Sequence, residues 1–256
     1  MIYRPIKTYR RTQGFGDNMV CISGSRNTVS YPARYVHTEA SGLCRTGFIP
    51  MYSTFGMKGH NGLDYASYTG EELYHSHIAP TSWTAYDASD NSGGLGLDII
   101  SDSPLAFDEL CPGAGSQALA LWEKQGKKIR IKHRYWHLKR PLVKNGEKVS
   151  HGTLIGECDN TGASTGSHLH WGMKYVDENG NTLDSDNGYY GAVDFTKLLD
   201  DRAYVMDFIA QQNELSLQGP DIEQKTAIYN LLLSFLTEMK VDISSIKSTL
   251  RRALGL

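Results

Sequence analysis

Hydrophobic and polar positions alternate along much of the chain up to about residue 196, which predicts β-strands. The clearest case is the text KKIRIKHRYWHL, in which a period of two extends from Ile129 to His137. Such alternation is typical of a strand with one buried face. It places His137 on the same face as Ile129 and Ile131, directed into the protein.

Turn-forming residues separate the other short apolar runs. Residues 73–100 predict two or three strands, residues 142–162 a β-meander, and residues 167–184 a strand followed by a hairpin. Residues 101–126 interrupt this pattern with prolines and a short helical segment, Gln117–Lys124. We interpret that stretch as an insertion between two strands.

The periodicity changes beyond residue 198. Apolar residues in TAIYNLLLSFLTEMK recur at helical spacing, and a second apolar run follows Val241. The sequence therefore predicts a mainly β domain at residues 1–198, with insertions at about 17–50 and 101–126. A helical appendage at residues 199–256 follows it, and we expect it to serve docking or oligomerisation.

Composition and charge exclude several classes of partner. The formal net charge of −2 gives no general attraction to nucleic acid or to an anionic membrane. No segment has the roughly 20 apolar residues that cross a bilayer, so we expect no transmembrane segment. The basic N-terminal text MIYRPIKTYRRTQGFGDN lacks the apolar run of a secretory signal, so we expect no signal peptide.

The four cysteines, Cys21, Cys44, Cys111 and Cys158, show no C-x-x-C spacing, which argues against a structural zinc knuckle. A bridge between Cys21 and Cys44 is one interpretation. Free and mostly buried thiols are the preferred one.

Three short texts carry candidate chemistry: GHNGLDYA at 59–66, YWHL at 135–138 and TGASTGSHLHWG at 161–172. Zinc prefers histidine nitrogen and carboxylate oxygen, and catalytic zinc sites keep three protein ligands and one open position. His60, Asp64 and one histidine of the H-x-H pair supply such a set.

The spacing of these residues is compatible with a shared metal ion, but it does not identify the third ligand. The intervening Asn61-Gly62 lets the backbone turn, which brings His60 and Asp64 together. His168 and His170 project from one face of a strand, about 6.6–6.8 Å apart. Either both bind the metal, or one binds it while the other acts beside it, and the spacing leaves this choice open.

In this order, the three texts resemble the lysostaphin-type (LytM-like) metallopeptidases, which hydrolyse peptidoglycan cross-bridges or stem peptides. That family has H-x-x-x-D early, H-x-H late and Y-x-H-L between them. The resemblance extends from about Gln13 to Asp194, and VKNGEKVSHGTLIG fits the family's glycine-marked hairpin. Three ordered motifs are far more specific than a lone H-x-H. The resemblance implies an antiparallel β-sandwich-like peptidase core with a substrate groove.

Carried over residue by residue, the resemblance implies a Zn2+ ion held by His60, Asp64 and His170. It leaves His137 and His168 as unligated catalytic histidines. The metal would activate water and polarise the scissile carbonyl. The two imidazoles would transfer protons or stabilise the developing oxyanion, and the division of these roles stays open.

Four further positions need an interpretation. The family uses a tyrosine upstream of the first ligand to stabilise the tetrahedral state, and Tyr52 is the candidate. Cys158 stands where the family commonly has a small residue, so it would alter the groove wall or place a thiol near the metal. His75-Ser76-His77 is a second H-x-H without a matching carboxylate, and we expect it in an exposed strand or loop. For His133, ordinary packing is preferred over a place in the groove.

The resulting prediction is a zinc-dependent endopeptidase that hydrolyses peptide bonds of bacterial peptidoglycan. The missing export signal and the added helices favour a bacteriophage enzyme, either carried on the virion or released at lysis. The helices would then dock onto phage structural proteins. The alternative is a non-catalytic structural or interaction protein of a phage particle that retains the peptidase fold.

Overall fold

The structure is a computed structural model, and it describes residues 1–22, 28–32, 48–50, 52–106, 110, 115–218, 222–238, 247 and 251. The chain divides into two compact units, Met1–Val205 and Met206–Leu256.

Strands dominate the first unit. In chain order they are β1 (Ile2–Arg4), β2 (Arg11–Gln13), β3 (Asp17–Ile22), β4 (Thr28–Pro32), β5 (Phe48–Pro50), β6 (Leu63–Ala66), β7 (Glu72–Tyr74), β8 (Trp83–Asp87), β9 (Leu95–Ser101), β10 (Arg130–Pro141), β11 (Lys148–Val149), β12 (Leu154–Cys158), β13 (His168–Val176) and β14 (Leu199–Tyr204). The described helices are α1 (Gly115–Lys124), α2 (Val205–Gln218) and α3 (Ile222–Glu238).

A nine-stranded antiparallel sheet positions the candidate site. Its main path runs β11-β8-β9-β10-β13-β6-β2, and β12 pairs with both β10 and β7. Strands β3, β4 and β5 form a small antiparallel sheet, and β1 pairs with β14 in parallel. The predicted mainly β, antiparallel fold with C-terminal helices is therefore confirmed.

One face of the large sheet packs into the core through alternate residues of its two longest strands. Ile131, His133 and Tyr135 of β10 are fully buried, as are Trp171 and Met173 of β13. Because the side-chain period of a strand is two, the residues between them lie on the opposite face. The strand predicted from the alternation at residues 129–137 is confirmed, and so is the packing role of His133.

The predicted direction of His137 is wrong. A register shift against β9 falls between Tyr135 and Leu138, and His137 has a positive φ of 65°. This bulge reverses the alternation, so that Leu138 enters the core and the His137 ring lies beside that of His168. A period of two assumes uninterrupted pairing, and the bulge breaks that assumption.

The expected exposure of His75-Ser76-His77 is also wrong, because all three residues are buried. The two rings pack against Trp83, and His77 Nδ1 lies 2.9 Å from His133 Nε2. The polar composition of this segment favours exposure, but aromatic neighbours cover it.

Several local predictions can be compared with the described residues. Helix α1 includes the predicted segment Gln117–Lys124, and residues 177–181 form the predicted turn. The predicted helical appendage at residues 199–256 begins instead with β14, because residues 199–204 pair with the N-terminal strand β1. The side chains of Cys21, Cys44 and Cys111 lie outside the described residues, and so does much of the predicted insertion at 17–50.

Within the described part of the chain, no helix is both long and apolar enough to span a membrane.

Candidate metal centre

Two adjacent strands and the loop before one of them bring three metal-ligating side chains together. Asp64 of β6 lies directly opposite His170 of β13 in the antiparallel register. His60 precedes β6, where its backbone N–H donates to Asp17 O (2.7 Å) and its carbonyl accepts from Gly16 N (2.8 Å). Between His60 and β6 the backbone turns at Asn61-Gly62, which brings the side chain of His60 to that of Asp64.

The three ligand atoms form a small triangle. His60 Nε2 lies 3.2 Å from Asp64 Oδ1 and 3.0 Å from His170 Nδ1, and the latter two atoms are 3.0 Å apart. Ligands of a tetrahedral zinc ion at about 2.0–2.1 Å stand about 3.3 Å from one another. The three residues are 2%, 8% and 6% exposed. Among the described residues, this is the group of side chains suited to hold a metal ion.

Hydrogen bonds fix the ring of His60 in the orientation that a metal requires. Its Nδ1 lies 3.1 Å from the carbonyl oxygen of Gly14, to which it donates. The lone pair is then on Nε2, the atom that faces Asp64 and His170. Outer hydrogen bonds of this kind are the usual support of metal-bound histidines. The donor set and its orientation fit Zn2+.

The electrostatics of the three residues also suit a cation. Burial would raise the pKa of Asp64, but His60 and His170 outweigh it and hold that pKa well below its usual value. Burial lowers the pKa of His170 to about 4 against the opposing effect of Asp64. At His60 the carboxylate outweighs burial and raises the pKa. At neutral pH, Asp64 is thus ionised and His170 is neutral, the forms that bind metals.

Two further histidines stand beside this triangle without belonging to it. The rings of His137 and His168 are 4.5 Å apart, and His168 Nε2 lies 3.7 Å from Asp64 Oδ2. His137 Nδ1 donates to the carbonyl oxygen of Thr161 (2.7 Å), and His168 Nδ1 to that of Gly166 (2.8 Å). For His137, this hydrogen bond leaves Nε2 as the acceptor of the neutral ring. Burial lowers the pKa of His137.

The positive φ of His137 is part of this arrangement. The backbone N–H of His137 donates to Gly93 O (2.9 Å), so the turn between β8 and β9 stabilises the bulge. Strained backbone of this kind persists where surrounding contacts determine it, and it often marks functional sites. The contact with Thr161 holds the same residue from the other side.

Tyr52 lies next to the first ligand, in a 3-10 turn at Tyr52–Phe55. Its ring centroid is 5.4 Å from that of His60, and its hydroxyl donates to Gln13 Oε1 at 3.0 Å. Burial, followed by the charge of Asp64, raises the pKa of Tyr52. The phenol therefore stays protonated and is a hydrogen-bond donor near the centre.

Trp136 is a site residue that the sequence did not single out. It pairs with His170 across the sheet, its ring lies 5.5 Å from the imidazole, and its Nε1 donates to Ala88 O at 3.1 Å. A Cβ at Gly93 or Gly96 would come within 2.3 Å of this indole, so both glycines make room for it. The sequence signal for this position is the period of two: because Tyr135 faces the core, Trp136 faces the opposite side of the sheet, where His170 lies.

Cys158 does not lie at the centre. Its thiol is fully buried in the hydrophobic core, opposite Leu138, and burial raises its pKa. It therefore neither forms the groove wall nor supplies a metal ligand.

An antiparallel sheet that presents a buried His-Asp-His triangle beside two further histidines has the donor set of a single-zinc hydrolytic centre. The model of Peptidase family M23 matches residues 120–185, which include His137, His168 and His170. The predicted resemblance to the lysostaphin-type peptidases is thereby confirmed. His60 and Asp64 lie outside the matched segment, and it is the fold that joins them to it.

Relatives share short segments with this chain. Peptidoglycan DD-endopeptidase ShyA of Vibrio cholerae is 58% identical over 38 residues, which are 15% of this chain and 9% of that protein. An uncharacterized metalloprotease of Buchnera aphidicola is 48% identical over 88 residues, 32% of this chain and 23% of that protein. This chain thus spans less than a quarter of either relative.

Among solved structures, the catalytic domain of lysostaphin from Staphylococcus simulans matches this chain at 20% identity and a TM-score of 0.36, over 57% of this chain and 81% of that one. LytU is 21% identical, with a TM-score of 0.36, over 73% of this chain and 82% of that one.

Proposed function

We propose that this protein is a zinc-dependent endopeptidase that hydrolyses peptide bonds of bacterial peptidoglycan. The observation that carries the proposal is the triangle of His60, Asp64 and His170 with its 3.0–3.2 Å edges, flanked by two histidines anchored through Nδ1. The match to peptidase family M23 and the similarity to the peptidoglycan DD-endopeptidase ShyA support the substrate class.

A zinc ion at this centre supplies the Lewis acidity that activates water and polarises the scissile carbonyl. Burial keeps His137 neutral at pH 7, so its Nε2 accepts a proton from the attacking water. The same His137 would then give this proton to the leaving amine, while His168, with its ring 4.5 Å away, holds the attacking water. The hydroxyl of Tyr52 would turn from Gln13 Oε1 to donate to the oxyanion, and Trp136 packs against the ring of His170.

Digestion of purified sacculi tests this proposal. The zinc-loaded protein should release peptides, and a chelator or His170→Ala should abolish the release. Added zinc should restore the chelated wild type but not the variant. His151→Ala is the matched control, because His151 is exposed and belongs neither to the triangle nor to the flanking pair of histidines. If zinc-loaded wild type leaves the sacculi intact, the non-catalytic alternative stands instead.

The proposal extends to a bacteriophage enzyme that is carried on the virion or released at lysis. Apolar side chains on α3 support a docking role for the helical unit, since Leu231 is 72% exposed and Ile228 is 41% exposed. The partner would be a phage structural protein. Immunodetection in purified particles, compared with the soluble lysate, distinguishes the two routes, and absence from both would refute the phage assignment.

A further inference from the structure

A cluster of basic side chains lies on the same sheet face as the metal centre. Alternate pairs of β10 and β13 share this face, beginning with Trp136 and His170 and ending with Lys132 and Lys174. Lys174 is four positions beyond His170 on β13, which places the two Cα atoms about 13 Å apart. The cluster therefore lies along the strand direction from the site of bond cleavage.

The charges of this cluster do not balance. Arg134 makes a bidentate ion pair with Asp98, at 2.8 and 2.7 Å, and Lys132 Nζ lies 3.7 Å from the same carboxylate. One carboxylate thus serves two cations and leaves Lys174 without an anion. Among the residues that the structure describes, the Lys174 ammonium makes neither a hydrogen bond nor an ion pair.

Lys174 is nevertheless largely buried, with 9% of its surface exposed. Burial, followed by the charges of Arg134 and Lys132, lowers the pKa of Lys174 to about 8. Removing most of a lysine side chain from water beside two other cations costs free energy, and an apolar side chain of similar size would avoid that cost. The fold alone therefore gives no reason for a lysine at this position.

The centre and this lysine are close enough for one extended peptide to reach both. Gly172 separates His170 from Lys174 along this face of β13, and the Asn61 carbonyl oxygen lies over it, 3.3 Å from where a Cβ would stand. An extended peptide advances about 3.3 Å per residue, so it spans the distance from the cleaved bond to the ammonium within about four residues.

We propose that Lys174, with Lys132 beside it, binds a carboxylate of the peptide substrate and so determines which peptides are cleaved. This inference rests on the proposed peptidase function. The substrate carboxylate would supply the negative charge that the three basic side chains lack. Its ion pair with the Lys174 ammonium forms only when a peptide with a free carboxyl group is bound. Lys174 acts in specificity and takes no part in bond cleavage.

Synthetic peptidoglycan peptides, with each carboxyl group in turn free or amidated, test the proposal in zinc-loaded full-length protein. For one position, wild type should show a kcat/KM at least about tenfold higher for the free carboxylate. Lys174→Met should remove this preference by raising KM while leaving kcat/KM for the amidated peptide unchanged. Lys174→Arg should retain part of the preference. Lys144→Met, at an exposed lysine, is the matched control.

Two results would overturn the inference: equal kcat/KM for every matched peptide pair in wild type, or an undiminished preference in Lys174→Met. If no peptide is cleaved by the zinc-loaded protein, the proposed function fails by itself. Titration calorimetry with the same peptide pairs then decides about the subsite. Equal affinity for the free and amidated forms would contradict the proposed carboxylate subsite, whereas a difference that disappears in Lys174→Met would support it.

Discussion

The buried histidines outside the metal centre predict a steep loss of stability in mild acid. Trp171 Nε1 donates to His133 Nδ1 at 3.2 Å, which places the proton of His133 on Nε2, 2.9 Å from His77 Nδ1. His75 packs 4.6 Å from Trp83, and its Nε2 has no partner among the described residues. All three rings are neutral because burial holds each pKa well below 6.5.

The sign and size of the effect follow from this depression. Below pH 6.5 the unfolded chain binds protons that the folded chain does not, so stability falls as the pH decreases. At pH 5.5 each locked histidine costs about 1.4 kcal/mol, and three cost about 4 kcal/mol. A domain of ordinary stability, about 5–15 kcal/mol, would lose much of it.

Urea unfolding at pH 7.5 and 5.5, followed by tryptophan fluorescence, measures the loss. His75→Phe keeps an aromatic ring and removes one titrating group, so its loss between these pH values should be about 1.4 kcal/mol smaller than that of wild type. The ligand histidines titrate equally in both proteins and cancel in the difference. Equal losses in wild type and His75→Phe would refute the reasoning.

Three further expectations concern the centre and its neighbours. His137→Ala should lower kcat by about 100-fold or more at unchanged zinc content, and loss of zinc would instead make it a ligand. Gly62→Ala would bring a methyl group within 2.7 Å of the His170 ring, so zinc affinity should fall about tenfold or more in competition with a chelating dye. Gly166→Ala, where a methyl group meets nothing within 4 Å, should keep its affinity. Cys158 should react with iodoacetamide only after unfolding, as peptide mapping will show, and rapid native labelling would contradict its burial.

The ligand set was predictable because its information is local to short texts. The H-x-x-x-D and H-x-H spacings name His60, Asp64 and the pair His168 and His170 before any fold is known, and the alternation in β10 gives the face of each residue up to the bulge at His137. The choice of His170 over His168 required the resemblance. In the structure, the cross-strand pairing of His170 with Asp64 provides a physical reason for it.

What could not be predicted depends on contacts between distant segments. The bulge at His137 is held by Gly93 and Thr161, which no local pattern connects with it. The burial of His75 and His77 depends on Trp83 and His133, which cover an H-x-H text that is polar by composition. The role of Trp136 could not be predicted for the same reason, because it depends on the pairing of Trp136 with His170 on the neighbouring strand.

The most direct test of the central claim is the zinc K-edge absorption spectrum of the protein together with its zinc content. We predict close to one zinc ion per chain, with nitrogen and oxygen neighbours at about 2.0–2.1 Å and two imidazole scattering patterns. Asp64→Ala should lower the zinc content and change the oxygen shell. A sulfur neighbour at about 2.3 Å, or an unchanged spectrum in Asp64→Ala, would contradict the His60, Asp64 and His170 site.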